Sequence, residues 1–372
     1  MPALRHSPID DAWQAIDACE GFRSIAIDAM GGDFGPLVVV EGVHIAMSQL
    51  SNNRLHGVRF LFFGDKPQIE TELAKYPKLS AISLINHTSV IVTNEMNPID
   101  ALRHKDDSNL GLAIAAVADG TAHAVVSAAN TGAYVTLAKV ILGTLPGIDR
   151  PAIPGMMPNK NGMSVVLDLG ANLECSSERL IQFALMGEVL AKALFNKSSP
   201  TVGLLNVGTE EMKGHAVVQQ TGQKLHLIDK KTQEDPDLDR FSFHGFVEGT
   251  DIFRGVTDVI VTDGFSGNIA LKSIEGAALF FFELIKKSAT ESLWNKFIAL
   301  LMRPILKNVK KTIDPRLYNG AVFLGLKKIA VKSHGGADPF GFAKAVCVAI
   351  NMVQSNFSDD IEKRLQLVSK IQ

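Results

Sequence analysis

A chain of 372 residues, 46% hydrophobic and 20% charged, falls in the ordinary globular range and has ample material for a large core. Its formal net charge of -2 carries no nucleic-acid signature, so an anionic partner must be met by a local patch. The cysteines Cys19, Cys175 and Cys347 are far apart and form no C-x-x-C pair, which argues against a zinc knuckle or disulfide framework and for reduced thiols in a cytoplasm.

Residues 1–22 scatter Asp10, Asp11, Asp17 and Glu20 and have no apolar run, so they read as a poorly ordered tail and not as a secretory signal. From there to residue 355 a single catalytic domain is expected, with a C-terminal tail over 356–372. Six short apolar runs end in a Gly- or Asn-bearing turn. They are Ile25–Ile27 before Asp28-Ala29-Met30-Gly31-Gly32-Asp33, Ala124–Val126 before Ser127-Ala128-Ala129-Asn130-Thr131-Gly132, and Ser164–Leu167 before Asp168-Leu169-Gly170-Ala171-Asn172. The others are Val202–Leu205 before Asn206-Val207-Gly208, Val259–Thr262 before Asp263, and Ile329–Val331 before Lys332-Ser333-His334-Gly335-Gly336. Fully apolar strands alternating with helical stretches such as Leu180–Leu194 and Phe342–Val353 indicate an α/β fold, a mostly parallel sheet covered by helices on both faces. Loops at strand C-terminal ends converge in such sheets, so six turns on one edge imply one composite site.

The longest interval without a formal charge, Gly120–Ala138, is broken by Ser127, Asn130, Thr131 and Gly132 and reads as two buried elements and a loop, not as a membrane span. Residues 210–246, rich in Lys and Asp around Pro236, read as a surface excursion. Within 256–276, Val259–Thr262 is expected as a buried strand, Asp263–Asn268 as a tight polar turn and Ile269 onward as a helix. That succession makes an anion site at the helix start. Asn268 and Lys272 are four apart and share a face, so Asn268 and the amides of Gly264, Ser266 and Gly267 are candidates to bind phosphate, with Lys272 neutralising it. The segment 277–313 reads as a helical hairpin. Its Leu293, Trp294, Phe297, Ile298 and Leu301 recur at helical spacing, and Glu283–Arg316 holds eight Lys/Arg against three Asp/Glu. Such a hairpin either dips its tip into an anionic membrane surface or pairs two subunits.

Several chemistries lack their signatures. Gly264-Phe265-Ser266-Gly267 falls one residue short of a G-x-S-x-G elbow, and there is no G-x-G-x-x-G, Walker loop or H-E-x-x-H. Asp28, Asp33, Asp168 and Asp263 stand at strand ends, where structural or lysine-pairing roles are preferred to metal binding. No cofactor or metal is expected.

The ordered series of Asp28–Asp33, Ser127–Ala133, Arg150-Pro151-Ala152, Leu167–Asn172, Leu204–Gly214, Asp263–Lys272 and Lys332–Gly336 closely resembles the bacterial phosphate acyltransferases of phospholipid synthesis, over roughly residues 25–353. Ala129 departs from that pattern, standing where glycine is expected before Asn130. The resemblance implies a three-layer αβα fold like that of phosphotransacetylases and the isocitrate-dehydrogenase group, a homodimer, and a cytoplasmic enzyme peripherally attached to membrane. It implies transfer of a long acyl chain from acyl carrier protein to inorganic phosphate, giving an acyl phosphate for a downstream glycerol-3-phosphate acyltransferase. Phosphate is then itself the nucleophile, and the protein must position it and stabilise the oxyanion. Asn130 and Thr131 become candidates for carbonyl or phosphate contact, and His334 for protonating the departing thiolate or binding phosphate. Asp28 or Asp33, beside Gly31 and Gly32, could orient Lys213 or His334 or cap the next helix. Gly132, Asn172, Lys213 and Asp263 complete the expected substrate-binding set. Lys327, Lys328 or the Lys310-Lys311 pair could dock the acidic carrier. A short-chain phosphotransacetylase using acyl-CoA is the nearest rival enzyme, and an idle membrane-bound scaffold is the non-enzymatic alternative.

Overall fold

The computed structural model describes residues 23–49, 57–312, 314–355 and 357–371. The expected tail over 1–22 lies outside the described residues, as do the side chains of Lys310 and Lys311. In chain order the elements are β1 (Arg23–Asp28), α1 (Pro36–Gln49), β2 (Val58–Gly64), α2 (Lys66–Leu73), α3 (Pro77–Ser80), β3 (Ser83–His87), α4 (Pro98–Arg103), α5 (Asn109–Ala118), β4 (Ala124–Ser127) and α6 (Thr131–Leu142). There follow β5 (Gly155–Asn159), β6 (Gly162–Leu167), α7 (Ser177–Phe195), β7 (Thr201–Leu205), α8 (Ala216–Glu234), β8 (Ser242–Val247), α9 (Asp251–Arg254) and β9 (Val259–Val261). The chain ends with α10 (Gly264–Thr290), α11 (Leu293–Thr312), a 3-10 turn (Pro315–Tyr318), β10 (Ala321–Val322), β11 (Ile329–Lys332), α12 (Pro339–Val353) and α13 (Phe357–Ile371).

The chain forms two compact units, where one domain over 23–355 is expected from sequence. The first comprises residues up to Thr144 with Asn319–Ser358, and the second Leu145–Tyr318 with residues from Asp359 onward. Both repeat the same alternation of strand and helix, and the chain re-enters the first unit at Asn319, so no shift in composition marks the crossings.

The first unit holds a six-stranded sheet in the order β10-β11-β4-β1-β2-β3. Only β10 runs antiparallel to its neighbour. Phe60, Leu61, Phe62 and Phe63 of β2 are all buried, as a strand covered on both faces requires. Helices α1 and α12 pack closely because Gly42 has no side chain; a Cβ there would stand 2.9 Å from Phe342. The register sets Ile27 beside Val126, and Ser127 beside Lys332, so the C-terminal ends of β1, β4 and β11 finish level with one another.

The second unit holds a five-stranded sheet in the order β5-β6-β9-β7-β8, again parallel except for its β5 edge. The six apolar runs therefore divide three and three between two sheets and do not share one edge, a correction to the single composite edge. Both sheets are parallel in their interiors, so a strand's own residues say that it is covered on two faces and not which sheet it joins. Residues 210–246 are likewise more than a surface excursion. Helix α8 buries Val218, Thr221, Leu225 and Ile228, and β8 buries Phe243 and Phe246. The polar face of α8 dilutes its apolar residues along the sequence.

Residues beyond 355, taken as a tail on sequence, form α13, and Arg364 anchors it within the second unit. Its guanidinium donates to both Glu188 carboxylate oxygens of α7, at 2.6 and 2.8 Å, and to the carbonyls of Asp239 and Arg240. Lys192 stands 3.1 Å from the same carboxylate. Glu188 is fully buried, so its charge depends on these partners. Arg364→Met is expected to cost about 3 kcal/mol of unfolding free energy, the lower part of the range for breaking a buried pair because Lys192 remains, as read by urea titration of the far-UV signal.

Candidate active site

In the first unit the chemistry gathers where β1, β4 and β11 end. Asp28 is fully buried, and its carboxylate accepts from Ser127 Oγ at 2.5 Å, Asn109 Nδ2 at 2.5 Å and the Met30 amide at 3.2 Å. Burial pushes its carboxyl up, against the pull of those hydrogen bonds. Gly31 must be glycine, because a Cβ there would lie 2.8 Å from the Ala129 amide nitrogen and 3.1 Å from Ser127 Oγ. Gly32, at φ +86°, lies against the Gly335 carbonyl, which accepts from the Asp33 amide at 3.0 Å. Asp33 is exposed, and its carboxylate accepts from Asn94 Nδ2 at 2.6 Å.

Asn130 caps α6, accepting from the Ala133 amide and donating to the Asn94 carbonyl at 2.9 Å. Thr131 and Gly132 are exposed in the first turn of α6, which begins with no acidic residue. His334 is exposed, and its Nδ1 accepts from the Gly336 amide at 3.1 Å. The neutral ring therefore carries its proton on Nε2 and presents a donor there. Its own amide donates to Asn319 Oδ1, whose Nδ2 donates to Ser333 Oγ.

Lys332 closes β11 in register with Ser127. It is half-buried, with Nζ donating to the Ala128 carbonyl at 3.4 Å and to the Ser333 carbonyl. Burial pushes its ammonium pKa down to about 8, against the attraction of Asp28 and Asp33. From sequence the candidate in this turn is His334 and not Lys332. The signal available was a lysine ending a fully apolar parallel strand, where an ordinary solvated side chain is out of place. Asn94, Asn109 and Ser127 gave no such signal, since Asn and Ser are ordinary turn residues.

In the second unit the polar group lies where β6 and β9 end. Asp168 is buried and accepts from the amides of Ile153, Ala171 and Asn172 and from Asn172 Nδ2, with burial again pushing its carboxyl up. Asn172 is buried too and donates to the Pro151 carbonyl at 2.9 Å. Helix α10 begins at Gly264 and not at Ile269, so the expected tight turn is its first turn. Asp263 is the N-cap, accepting from the Ser266 amide at 2.7 Å and from Ser266 Oγ at 3.2 Å. The Gly264 amide donates to the Asn172 carbonyl, and that of Gly267 to the Asp263 carbonyl. A Cβ on Gly267 would strike the Asp168 carbonyl, and one on Gly264 would stand 2.7 Å from that of Asn172. These two glycines let the helix rest on the 168–172 turn, and a carboxylate already occupies the positive end of the helix.

Asn268 is half-buried against Gly170, and Lys272 is exposed one turn on. Lys213 is exposed and pairs with Glu210 at 2.8 Å, which holds the lysine pKa up and the carboxyl down. From Gly276 onward α10, and α11 as far as Ile305, are almost wholly exposed, including Phe280, Phe281, Leu293, Trp294, Phe297, Ile298 and Leu301. Trp294 and Phe297 stack with ring centroids 5.7 Å apart. Among the described residues no helix is long and apolar enough to cross a membrane, and no cluster of His, Cys, Asp or Glu could hold a metal ion.

A family model described as fatty acid synthesis protein matches residues 23–360. The chain belongs to that family. It is 48% identical over 340 residues to the phosphate acyltransferase of Paramagnetospirillum magneticum, covering 91% of this chain and 93% of the relative. It is 46% identical over 344 residues to that of Rhodospirillum rubrum, covering 92% and 95%. Among solved structures it resembles a phosphotransacetylase from Streptococcus pyogenes, with a TM-score of 0.55 at 18% identity over 94% of this chain and 99% of that one. It also resembles EutD phosphotransacetylase from Staphylococcus aureus, with a TM-score of 0.54 at 18% identity over 89% and 94%. At that identity the likeness shows the fold alone, and it bears out the expected α/β class.

Cys175 lies beside the Asn172 carbonyl, at 3.7 Å, and burial pushes its thiol up to about 11, aided by the charges of Asp168 and Asp263. It is therefore protonated at neutral pH and is no nucleophile. At pH 7.5 iodoacetamide is expected to alkylate Cys175 on the order of 10²-fold more slowly than a free cysteine, as followed by peptide mass spectrometry.

Proposed function

We propose that this chain transfers a long-chain fatty acyl group from the thioester of acyl carrier protein to inorganic phosphate, releasing acyl phosphate. The observation that carries this reading is near full-length kinship with bacterial proteins named phosphate acyltransferase. The chemistry agrees with it: phosphate brings its own nucleophilic oxygen, Cys175 stays protonated, and the Ser127 hydroxyl is tied to Asp28. What remains for the protein is positioning and charge stabilisation.

In the first unit, Asn130, Thr131, Gly132, Gly31, Gly32, Asp33 and His334 are assigned to substrate contact. In the second, Asn268 and Lys272 are assigned to phosphate and Lys213 to substrate, while the amides of Gly264, Ser266 and Gly267, expected to bind phosphate, are taken up by Asn172 and Asp263 and serve to seat the helix that carries Asn268 and Lys272. The mixed anhydride produced is reactive and calls for an acyl acceptor close by, the role of a downstream glycerol-3-phosphate acyltransferase, with this chain itself cytoplasmic and held at the membrane surface. Purified protein is expected to consume acyl-carrier thioester only when phosphate is present and to yield an acyl phosphate trapped as hydroxamate by hydroxylamine. Turnover of acetyl-CoA in preference to the long acyl carrier would favour the phosphotransacetylase reading, and no turnover of either would favour a scaffold.

The exposed hairpin fits a peripheral membrane contact at its tip and a second copy of the chain along its base. Apolar residues beside Lys296 and Arg303 suit an anionic lipid surface. Trp294→Asp or Phe297→Asp is expected to lower cosedimentation with phosphatidylglycerol vesicles by about tenfold or more while leaving acyl transfer in solution intact. Unchanged cosedimentation would remove the membrane role.

A further inference from the structure

A fatty acyl thioester carries its chain on the carbonyl that phosphate attacks, so the chain must leave the reacting atoms across whatever surface adjoins them. With phosphate at Asn268 and Lys272, that surface is α10 itself. Gly264, Gly267, Leu271 and Ile274 make the packed face of this helix, the glycines on the 168–172 turn and the two apolar side chains against Val166, Val247 and Ile260. Phe265, Ile269, Lys272, Gly276 and Phe280 follow one another at spacings of four, three, four and four and line the opposite face, with Leu279 at its margin. Phe265, Ile269, Leu279 and Phe280 are each more than half exposed, which leaves apolar surface in water for about 22 Å along the rod. Leu173, Val207 and Met212 are also exposed where strands end, but they sit in short turns that close at the next helix and offer no continuous run.

Gly276 interrupts the strip with bare backbone. It stands inside a helix of 27 residues, where glycine is a poor helix former. Gly264 and Gly267 are required by the carbonyls that crowd them, but a Cβ on Gly276 would meet no packed neighbour within 4 Å. Packing among the described residues therefore gives no reason for a glycine here. What it leaves is a gap between Ile269 and Phe280, open to the close approach of a ligand along the backbone.

We propose that this face of α10 is the track on which the fatty acyl chain lies, with Gly276 the gap through which it passes from the phosphate group toward Phe280. This rests on the acyl-to-phosphate reading above and on phosphate at Asn268 and Lys272. The Lys272 ammonium neutralises phosphate, and its methylene stem continues the apolar strip. Gly276 lies about 6 Å beyond Lys272 and Phe280 about 12 Å beyond it, distances that a hexadecanoyl chain spans and a butanoyl chain does not reach. The track therefore distinguishes long chains from short ones. Its outer end runs into the exposed apolar hairpin, so the tail of a long chain emerges at the part of the molecule suited to lipid. A one-sided face gains less per methylene than a closed pocket, on the order of twofold in affinity.

The deciding experiment compares Gly276→Gln with the unaltered chain on butanoyl and hexadecanoyl thioesters of acyl carrier protein, in buffer without lipid. Glutamine is the better helix former and enters open space, so Tm is expected to be no lower. Its polar side chain fills the gap. KM for the hexadecanoyl thioester is expected to rise about tenfold and KM for the butanoyl thioester less than about twofold, with kcat little changed. Hexadecyl phosphate, an amphiphile that does not react, should bind the variant about tenfold more weakly in titration calorimetry below its aggregation point. Equal changes on the two thioesters or an unchanged affinity for hexadecyl phosphate would overturn the track. So would a fall in Tm or in oligomer size, which would mean that a second copy of the chain covers Gly276. If the unaltered chain turns over neither thioester, the acyl-transfer reading fails, and the hexadecyl phosphate titration decides the track on its own.

Discussion

The arrangement of each unit depends on a carboxylate buried at the end of a parallel strand. Asp28 and Asp168 are both inaccessible to water, and each gathers amide or hydroxyl donors from the turns around it. An unpaired buried carboxylate would cost several kcal/mol, so those turns have little freedom to rearrange once the strand is in place. In the first unit this fixes the backbone through Met30 and Gly31 against Ser127. In the second it fixes the 168–172 turn on which α10 rests. The aspartates act as internal templates for backbone geometry.

Much of this was legible in the sequence, because fully apolar runs ending in Gly or Asn have few other solutions. All six runs are strands, and the helices around Leu180–Leu194 and Phe342–Val353 form where helical spacing places them. Division into two sheets was not legible, since hydrogen-bond partners between strands are set by tertiary contact. Nor was the start of α10, because Gly264 and Gly267 look like turn residues until the carbonyls crowding them are known. Their spacing of three, followed by Leu271 and Ile274 against the core of Val166, Val247 and Ile260, marks one packed helical face.

The same limit applies to charged groups. Lys272 and Lys213 drew attention because they follow glycine-rich turns, yet one is solvated and the other pairs locally with Glu210. Lys332 lay in plain view at the end of β11, but its burial comes from the neighbouring strand and turn and could not be read from its own segment. Composition reports which charges exist; only packing reports which have lost their water.

Helix α10 gives the second unit a mechanical property. Twenty-seven residues without a break make a rod about 40 Å long. One end rests against the 168–172 turn, with Gly267 packed on the Asp168 carbonyl and the Gly264 amide bonded to that of Asn172, and the other is open to solvent beside α11. A tilt of about 5° at the seated end would carry the free end about 3.5 Å, so the rod is a lever whose short arm is the 168–172 turn. Whatever grips the apolar far end therefore applies torque to that turn.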